Sequence, residues 1–128
     1  MPIMHGDTKQ QAMTMAAVSL MLWCGSWAMG QIGGGNPKAG QPLYEQHCLR
    51  CHGDKLDGNG PEAQYLIVRP PDLRSLVIRN RSDRDLLSSI TNGVLFSPMH
   101  GFRGKLTEQQ MLDVLSYIRL QSPPEFIS

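Results

Sequence analysis

The chain has 128 residues, 12 Lys and Arg against 11 Asp and Glu, and a formal net charge of +1. That length holds one small domain, and so weak a field does not grip phosphate backbones or anionic lipid, which excludes dedicated nucleic-acid binding. Three cysteines are too few for a disulfide scaffold, and two of them, Cys48 and Cys51, have the close spacing of metal, redox or cofactor chemistry.

In chain order, the first feature is an apolar run at residues 12–29, containing Leu20, Met21, Leu22 and Trp23. A short polar segment with Lys9 precedes it, and Ala28-Met29-Gly30 follows with small residues at the spacing a signal peptidase reads. Residues 1–30 are therefore expected to be a signal peptide or, if retained, an N-terminal membrane anchor. As a helix the run would reach ~27 Å against a hydrocarbon core of ~30 Å, so it barely spans. Trp23 stands where lipoprotein processing at Cys24 would need a small residue. Residues 31–40, rich in Gly with Pro37, read as a flexible linker. The folded domain is expected over 41–122 and a C-terminal tail over 123–128. A domain of about 80 residues has a marginal apolar core, which a metal or large cofactor commonly supplements.

Pro42 at a helix start, then Leu43, Tyr44, His47 and Cys48 at helical spacing, predicts a first helix running to about Cys51. Asp57-Gly58-Asn59-Gly60-Pro61 and Arg69-Pro70-Pro71-Asp72 mark loops. The first of these also has a calcium-like pattern, but no Glu follows at the required offset, so a turn is preferred. Ser82, with Asp85 three residues on, predicts a helix over 83–91, stopped by Asn92-Gly93. Thr107 and Gln110 form a capping box, with Leu106 and Met111 at the positions of a hydrophobic staple. The helix that follows carries Met111, Leu112, Val114, Leu115 and Ile118 as a broad apolar stripe and ends before Pro123-Pro124. The expected architecture is all-α, three or more short helices joined by long loops that wrap a bound group.

Cys48-Leu49-Arg50-Cys51-His52 is the pentapeptide C-x-x-C-H, a c-type haem attachment signal. Two thiols spaced this way at a helix end lie on one face, where each can form a thioether to a haem vinyl group, and His52 follows to place an imidazole nitrogen under the iron. A thioredoxin-type dithiol would need a preceding strand and an α/β pattern, and neither is visible. A zinc site would need a second ligand pair, for which only His47 and His100 are available. Six of the eight methionines fall within the first 30 residues, leaving Met99 and Met111. Met111 belongs to the apolar stripe of a helix, so Met99 is the candidate sixth ligand, with His100 as its rival. His47 reads as a surface or rim histidine.

From Gly40 through Gly53, and again at Asp57-Gly58-Asn59-Gly60-Pro61, the sequence resembles a bacterial class I cytochrome c over nearly all of 41–121. The resemblance implies a small cytochrome c fold around one covalently bound haem c, with the last helix crossing the first. It implies thioethers at Cys48 and Cys51, and His52 and Met99 as axial ligands, in a Ser97-Pro98-Met99-His100 segment where His100 replaces the usual Pro. It further implies a proline carbonyl that accepts the His52 Nδ1 hydrogen, with Pro61 chosen and Pro70 and Pro71 as rivals. Tyr44 and Tyr117 are expected to meet at the helix crossing, Tyr65 and Phe102 to line the haem or simply to pack in the core, and Arg69, Arg74, Arg79 and Arg81 to form a solvated basic face by default or to reach its propionates.

A haem iron with both axial positions filled offers no open site to a substrate and suits electron transfer. The expected function is a monohaem carrier, not itself an enzyme, passing single electrons between periplasmic or membrane-bound redox proteins in a respiratory chain through small transient interfaces. The chain would be soluble in the periplasm, or bound to the cytoplasmic membrane only if residues 1–30 are retained. One alternative is a permanent electron-transfer subunit of a larger oxidoreductase complex. Another is a haem peroxidase or gas sensor with an open iron site, for which only His100 offers a distal acid or base.

Overall fold

The computed structural model describes residues 34–124. The expected leader, the first part of the linker and the last four residues of the tail lie outside the described residues. The fold is all-α, as expected. The helices are α1 (Pro37–His47), α2 (Leu49–His52), α3 (Leu76–Arg79), α4 (Asp83–Asn92) and α5 (Glu108–Gln121), with a 3-10 turn at Ala63–Tyr65. Among the described residues no helix is long and apolar enough to cross a membrane.

The first helix begins earlier than its sequence pattern predicts. Asn36 caps it through its side chain, which accepts from the Lys38 N–H, and Pro37 takes the first helical position. Residues 37–40 thus belong to α1 and not to a linker, and Pro42 lies inside the helix. Asn-Pro is a good helix start, since the ring presets φ and its missing N–H is one that no helix end can satisfy. The helix extends this far because tertiary contacts hold its first turn. The Asn36 N–H donates to the buried carboxylate of Asp113 on α5, at 2.7 Å.

That contact marks a close crossing of α1 and α5. A Cβ added at Gly40 would lie 1.9 Å from the Asp113 carbonyl oxygen, and one at Gly35 would lie 2.0 Å from the Leu112 carbonyl oxygen. Further along the crossing the rings of Tyr44 and Tyr117 meet as expected, with centroids 5.3 Å apart.

The caps of the later helices form as the sequence predicts. Ser82 accepts from the Asp85 N–H and Gly93, at φ 79°, ends α4. Thr107 and Gln110 complete the capping box of α5, and the staple residues Leu106 and Met111 are both buried. Leu86 and Ile90 of α4 pack with Val114, Leu115 and Ile118 of α5, and with Tyr44, Leu56 and Phe102, to form the core. The side chain of Arg119 on α5 bonds the carbonyls of Arg79 and Arg81 and the carboxylate of Asp83, tying the α3–α4 connection to the last helix.

A Gly40→Ala substitution is expected to destabilise the fold by at least about 1–3 kcal/mol, because its methyl group meets main chain that cannot rotate away. Gly34→Ala, where an added Cβ meets nothing within 4 Å, should stay within about 0.5 kcal/mol. Urea denaturation of the two variants beside the parent checks the pair.

Candidate functional site

The Cys48 to His52 segment sits where α1 ends. Cys48 interrupts the helix at φ −118°, and α2 restarts at Leu49 and stops at Gly53, whose φ of 82° favours glycine. Three backbone bonds hold the end of α2 in place. The carbonyls of Arg50, Cys51 and His52 accept from the N–H groups of Glu62, Gly60 and Gly58, at 2.8, 3.1 and 2.9 Å. The Asp57–Gly60 loop therefore satisfies helix-end carbonyls that would otherwise be orphaned. It is a turn, as expected, with the Asn59 N–H bonded to the Asp57 carboxylate. That bond is the main reason the Asp57 carboxyl lies below its usual range. The buried Tyr44 hydroxyl donates to the Gly53 carbonyl at 2.7 Å, so α1 fixes both ends of the pentapeptide. Burial, above all, pushes the Tyr44 pKa up.

Cys48, Cys51 and His52 face a cavity of about 280 Å³ shared with Met99 and Phe102. Both cysteines are free thiols. Burial, with Cys51 nearby, pushes the Cys48 pKa up to about 12, so this thiol stays neutral near physiological pH. Burial lowers the His52 pKa and keeps its imidazole in the neutral form that binds metals. Its buried Nδ1 has no hydrogen-bond partner.

The opposite boundary of the cavity is built by the segment after α4. The Phe102 and Arg103 N–H groups donate to the Ile90 and Thr91 carbonyls at 3.0 and 3.1 Å, closing the C-terminal end of α4 and burying Phe102. Met99 precedes this anchor. Its carbonyl accepts from the Val94 N–H and its own N–H donates to the Ser97 hydroxyl. Met111 lies elsewhere in the core, where its sulfur accepts from the Thr91 hydroxyl.

Two sequence expectations fail in detail. Pro61 is exposed and outside the cavity lining, and its carbonyl accepts from Gln64 Nε2 at 3.2 Å. The bond from His52 Nδ1 to Pro61 is therefore not made, whereas the rivals Pro70 and Pro71 do line the cavity. Pro61 follows a loop that turns back over the α2 carbonyls, which takes it away from the imidazole. Tyr65 is exposed, outside the lining, because the 3-10 turn that carries it buries Ala63 instead. Among the four arginines, Arg69 and Arg81 reach the lining, while Arg74 pairs with Asp72 and Arg79 Nε donates to the Pro123 carbonyl. His47 sits on the rim, its ring edge-on to Phe102 at 5.7 Å, and His100 tilts against the same ring at 4.9 Å. The packing of His47 on Phe102 is not visible in the sequence, since the two residues come from different segments.

Comparison with known proteins identifies the family. The profile of the family described as "Cytochrome C oxidase, cbb3-type, subunit III" matches residues 35–118, and the chain belongs to that family. A c-type cytochrome domain of this kind implies covalently bound haem c and an electron-transfer role. Among solved structures, the reducing HAO-like protein complex of Kuenenia stuttgartiensis is similar at 24% identity and TM-score 0.57, over 66% of this chain and 41% of that one. Dihydro-heme d1 dehydrogenase NirN, in complex with DHE, is similar at 28% identity and TM-score 0.53, over 68% of this chain and 17% of that one. This chain thus spans less than half the length of either. No curated protein matched. The residues fit the implied group. Two free thiols, a neutral imidazole whose Nδ1 is buried, and a thioether share one largely apolar cavity, which is a donor set for a covalently held haem.

The Tyr44 hydroxyl bond is the contact that ties α1 to the end of the pentapeptide. Tyr44→Phe keeps the ring against Tyr117 but leaves the buried Gly53 carbonyl with only its longer bond from the Leu56 N–H, at 3.3 Å, with an expected loss of about 0.5–1.5 kcal/mol in urea denaturation. Tyr117→Phe, which leaves that bond intact, should fall within about 0.5 kcal/mol of the parent.

Proposed function

We propose that this member of the cbb3-type subunit III family is a monohaem cytochrome that carries single electrons between periplasmic or membrane-bound redox proteins. The observation that carries the reading is the meeting of Cys48, Cys51, His52 and Met99 at one cavity, although Met99 is 47 positions beyond His52 in the chain. In this reading Cys48 and Cys51 would hold the haem through thioethers, and His52 and Met99 would be the ligands to its iron. When bound, the haem supplies a one-electron couple whose iron, with a thioether ligand, favours the ferrous state relative to bis-histidine ligation.

The chain's own residues do the rest. Burial keeps His52 neutral, the state in which an imidazole nitrogen can donate to a metal. Phe102, Val114 and Leu115 exclude water from the cavity, and a dry surrounding keeps the change of charge on electron transfer from reorganising solvent. The four-bond ties of Val94, Ser97 and Met99 hold the Met99 segment in one conformation. Arg69 and Arg81 line the cavity, which supports them as the residues that would meet haem propionates.

A second reading has its own support. The family description names a subunit of an oxidase, which favours a permanent electron-transfer subunit of an oxidoreductase complex, held to the cytoplasmic membrane if the leader is retained. An open-iron peroxidase or sensor has weaker support, since His100, although it borders the cavity, is exposed and packs against Phe102, and among the described residues no other distal acid or base lies on the lining apart from His47 on the rim.

Optical spectra of the holoprotein in both oxidation states test the axial set. The expected result is a low-spin spectrum with a methionine-to-iron charge-transfer band that disappears in Met99→Ala. A high-spin parent that binds carbon monoxide readily would refute the carrier. Intact mass of the exported chain completes the test, with one haem added and residues 1–30 removed as the outcome expected for a soluble periplasmic carrier. Retention of those residues would favour the anchored subunit.

A further inference from the structure

Large apolar side chains border the cavity in two groups that differ in what can cover them. Leu66, Val68 and Val94 line the cavity itself, so a bound cofactor accounts for them. Ile67, Leu95 and Phe96 alternate with or follow these residues, yet none belongs to the lining, and they are 101%, 86% and 98% exposed. Filling the cavity leaves them in water.

The backbone at Phe96 sharpens the point. Among the described residues two non-glycine residues have positive φ, Leu56 and Phe96, both at 59°. At Leu56 the strain has a return within the fold, because the side chain is 2% exposed in the core. Phe96 accepts the same unfavourable conformation and gains no burial. Strain of this kind persists where a function requires it. The tip is also held rigidly. The Ser97 N–H and hydroxyl both donate to the Val94 carbonyl, at 3.2 and 3.0 Å, and Val94 N–H donates to the Met99 carbonyl at 3.0 Å. An aromatic presented on a preorganised turn loses little entropy when it docks.

The two segments that carry these side chains hold charge of one sign along the chain. No acidic residue occurs between Asp85 and Glu108, where the charged side chains are Arg103 and Lys105, and none occurs between Glu62 and Asp72, where the charged side chain is Arg69. We propose that the Leu95-Phe96 tip and Ile67 form a docking face beside the cavity mouth, which receives an apolar patch ringed by carboxylates on a partner protein. This goes beyond the carrier reading in naming the face and the chemistry of what it meets, and rests on that reading only in that the partner exchanges electrons.

Mixed monolayers on gold, with methyl and carboxylate end groups, reproduce the partner's chemistry. Adsorbed mass by quartz microbalance and haem voltammetry are read together on the holoprotein. The parent should adsorb at least about tenfold more strongly to the mixed surface than to a hydroxyl surface or an amine–methyl surface. Phe96→Asn is the informative variant, because Asn tolerates positive φ. It should leave urea stability equal or improved while lowering adsorption to the mixed surface about tenfold. Unchanged adsorption, or equal adsorption to the amine–methyl surface, overturns the proposal. So does self-association of the parent in sedimentation that Phe96→Asn abolishes, which would make the occupant a second copy. Binding of the parent to phosphatidylglycerol vesicles that Phe96→Asn abolishes overturns it in favour of lipid. If the parent shows no haem wave in free solution, the carrier reading fails, whereas a normal wave without surface preference removes only the docking face.

Discussion

A Cβ at Gly40 would lie 1.9 Å from the Asp113 carbonyl oxygen, so the first and last helices touch main chain to main chain. The position of α1 against α5 is thereby fixed more tightly than side-chain packing alone would fix it, since backbone cannot adopt another rotamer. Everything that follows α1 inherits this placement. Cys48 directly follows its last residue, Tyr44 on its buried face holds Gly53, and α5 contributes Val114, Leu115 and Ile118 to the cavity. The Asn36 bond to Asp113 secures the far end of the same contact. Loosening this crossing would move the thiols and the cavity wall independently.

The cavity is consistent with the small size of the apolar core. Leu86, Ile90, Leu115 and Ile118 pack on one another and also face the cavity. A bound haem completes a core that about 80 residues could otherwise build only marginally. Burial has a chemical effect in the same place. It keeps the His52 imidazole and the Cys48 thiol uncharged, so the site presents neutral donors in a largely apolar setting. The charged groups on the lining are Arg69 and Arg81, and carboxylates stand elsewhere, as at Asp72 paired with Arg74.

The signals legible in the sequence were those that act over a few residues. The Thr107–Gln110 capping box, the Ser82 cap and the Gly93 stop each depend on a short stretch of backbone, and each formed as read. The start of α1 was misplaced although its own signal, Asn36-Pro37, was present. Pro42 carried the same positional meaning, and the glycines around Pro37 read as linker because their purpose, close approach to α5, lies more than 70 residues away along the chain. Pro61 failed for a related reason. Three prolines are candidates by sequence, and only the path of the loop over the α2 carbonyls decides that Pro70 and Pro71, not Pro61, line the cavity.

The sequence by itself determined the all-α class, and it carries the C-x-x-C-H pentapeptide at Cys48, Cys51 and His52 and the reasons for proposing Met99 rather than Met111 as a ligand, because composition, spacing and helix periodicity are local properties. The tertiary structure alone decided that Met99 and Phe102 share a cavity with that pentapeptide, that Tyr65 does not, and that Phe96 points to solvent from a strained turn. Those outcomes depend on contacts between segments dozens of residues apart, and the geometry of such contacts is set by helix crossing and loop closure, which no short window of sequence contains.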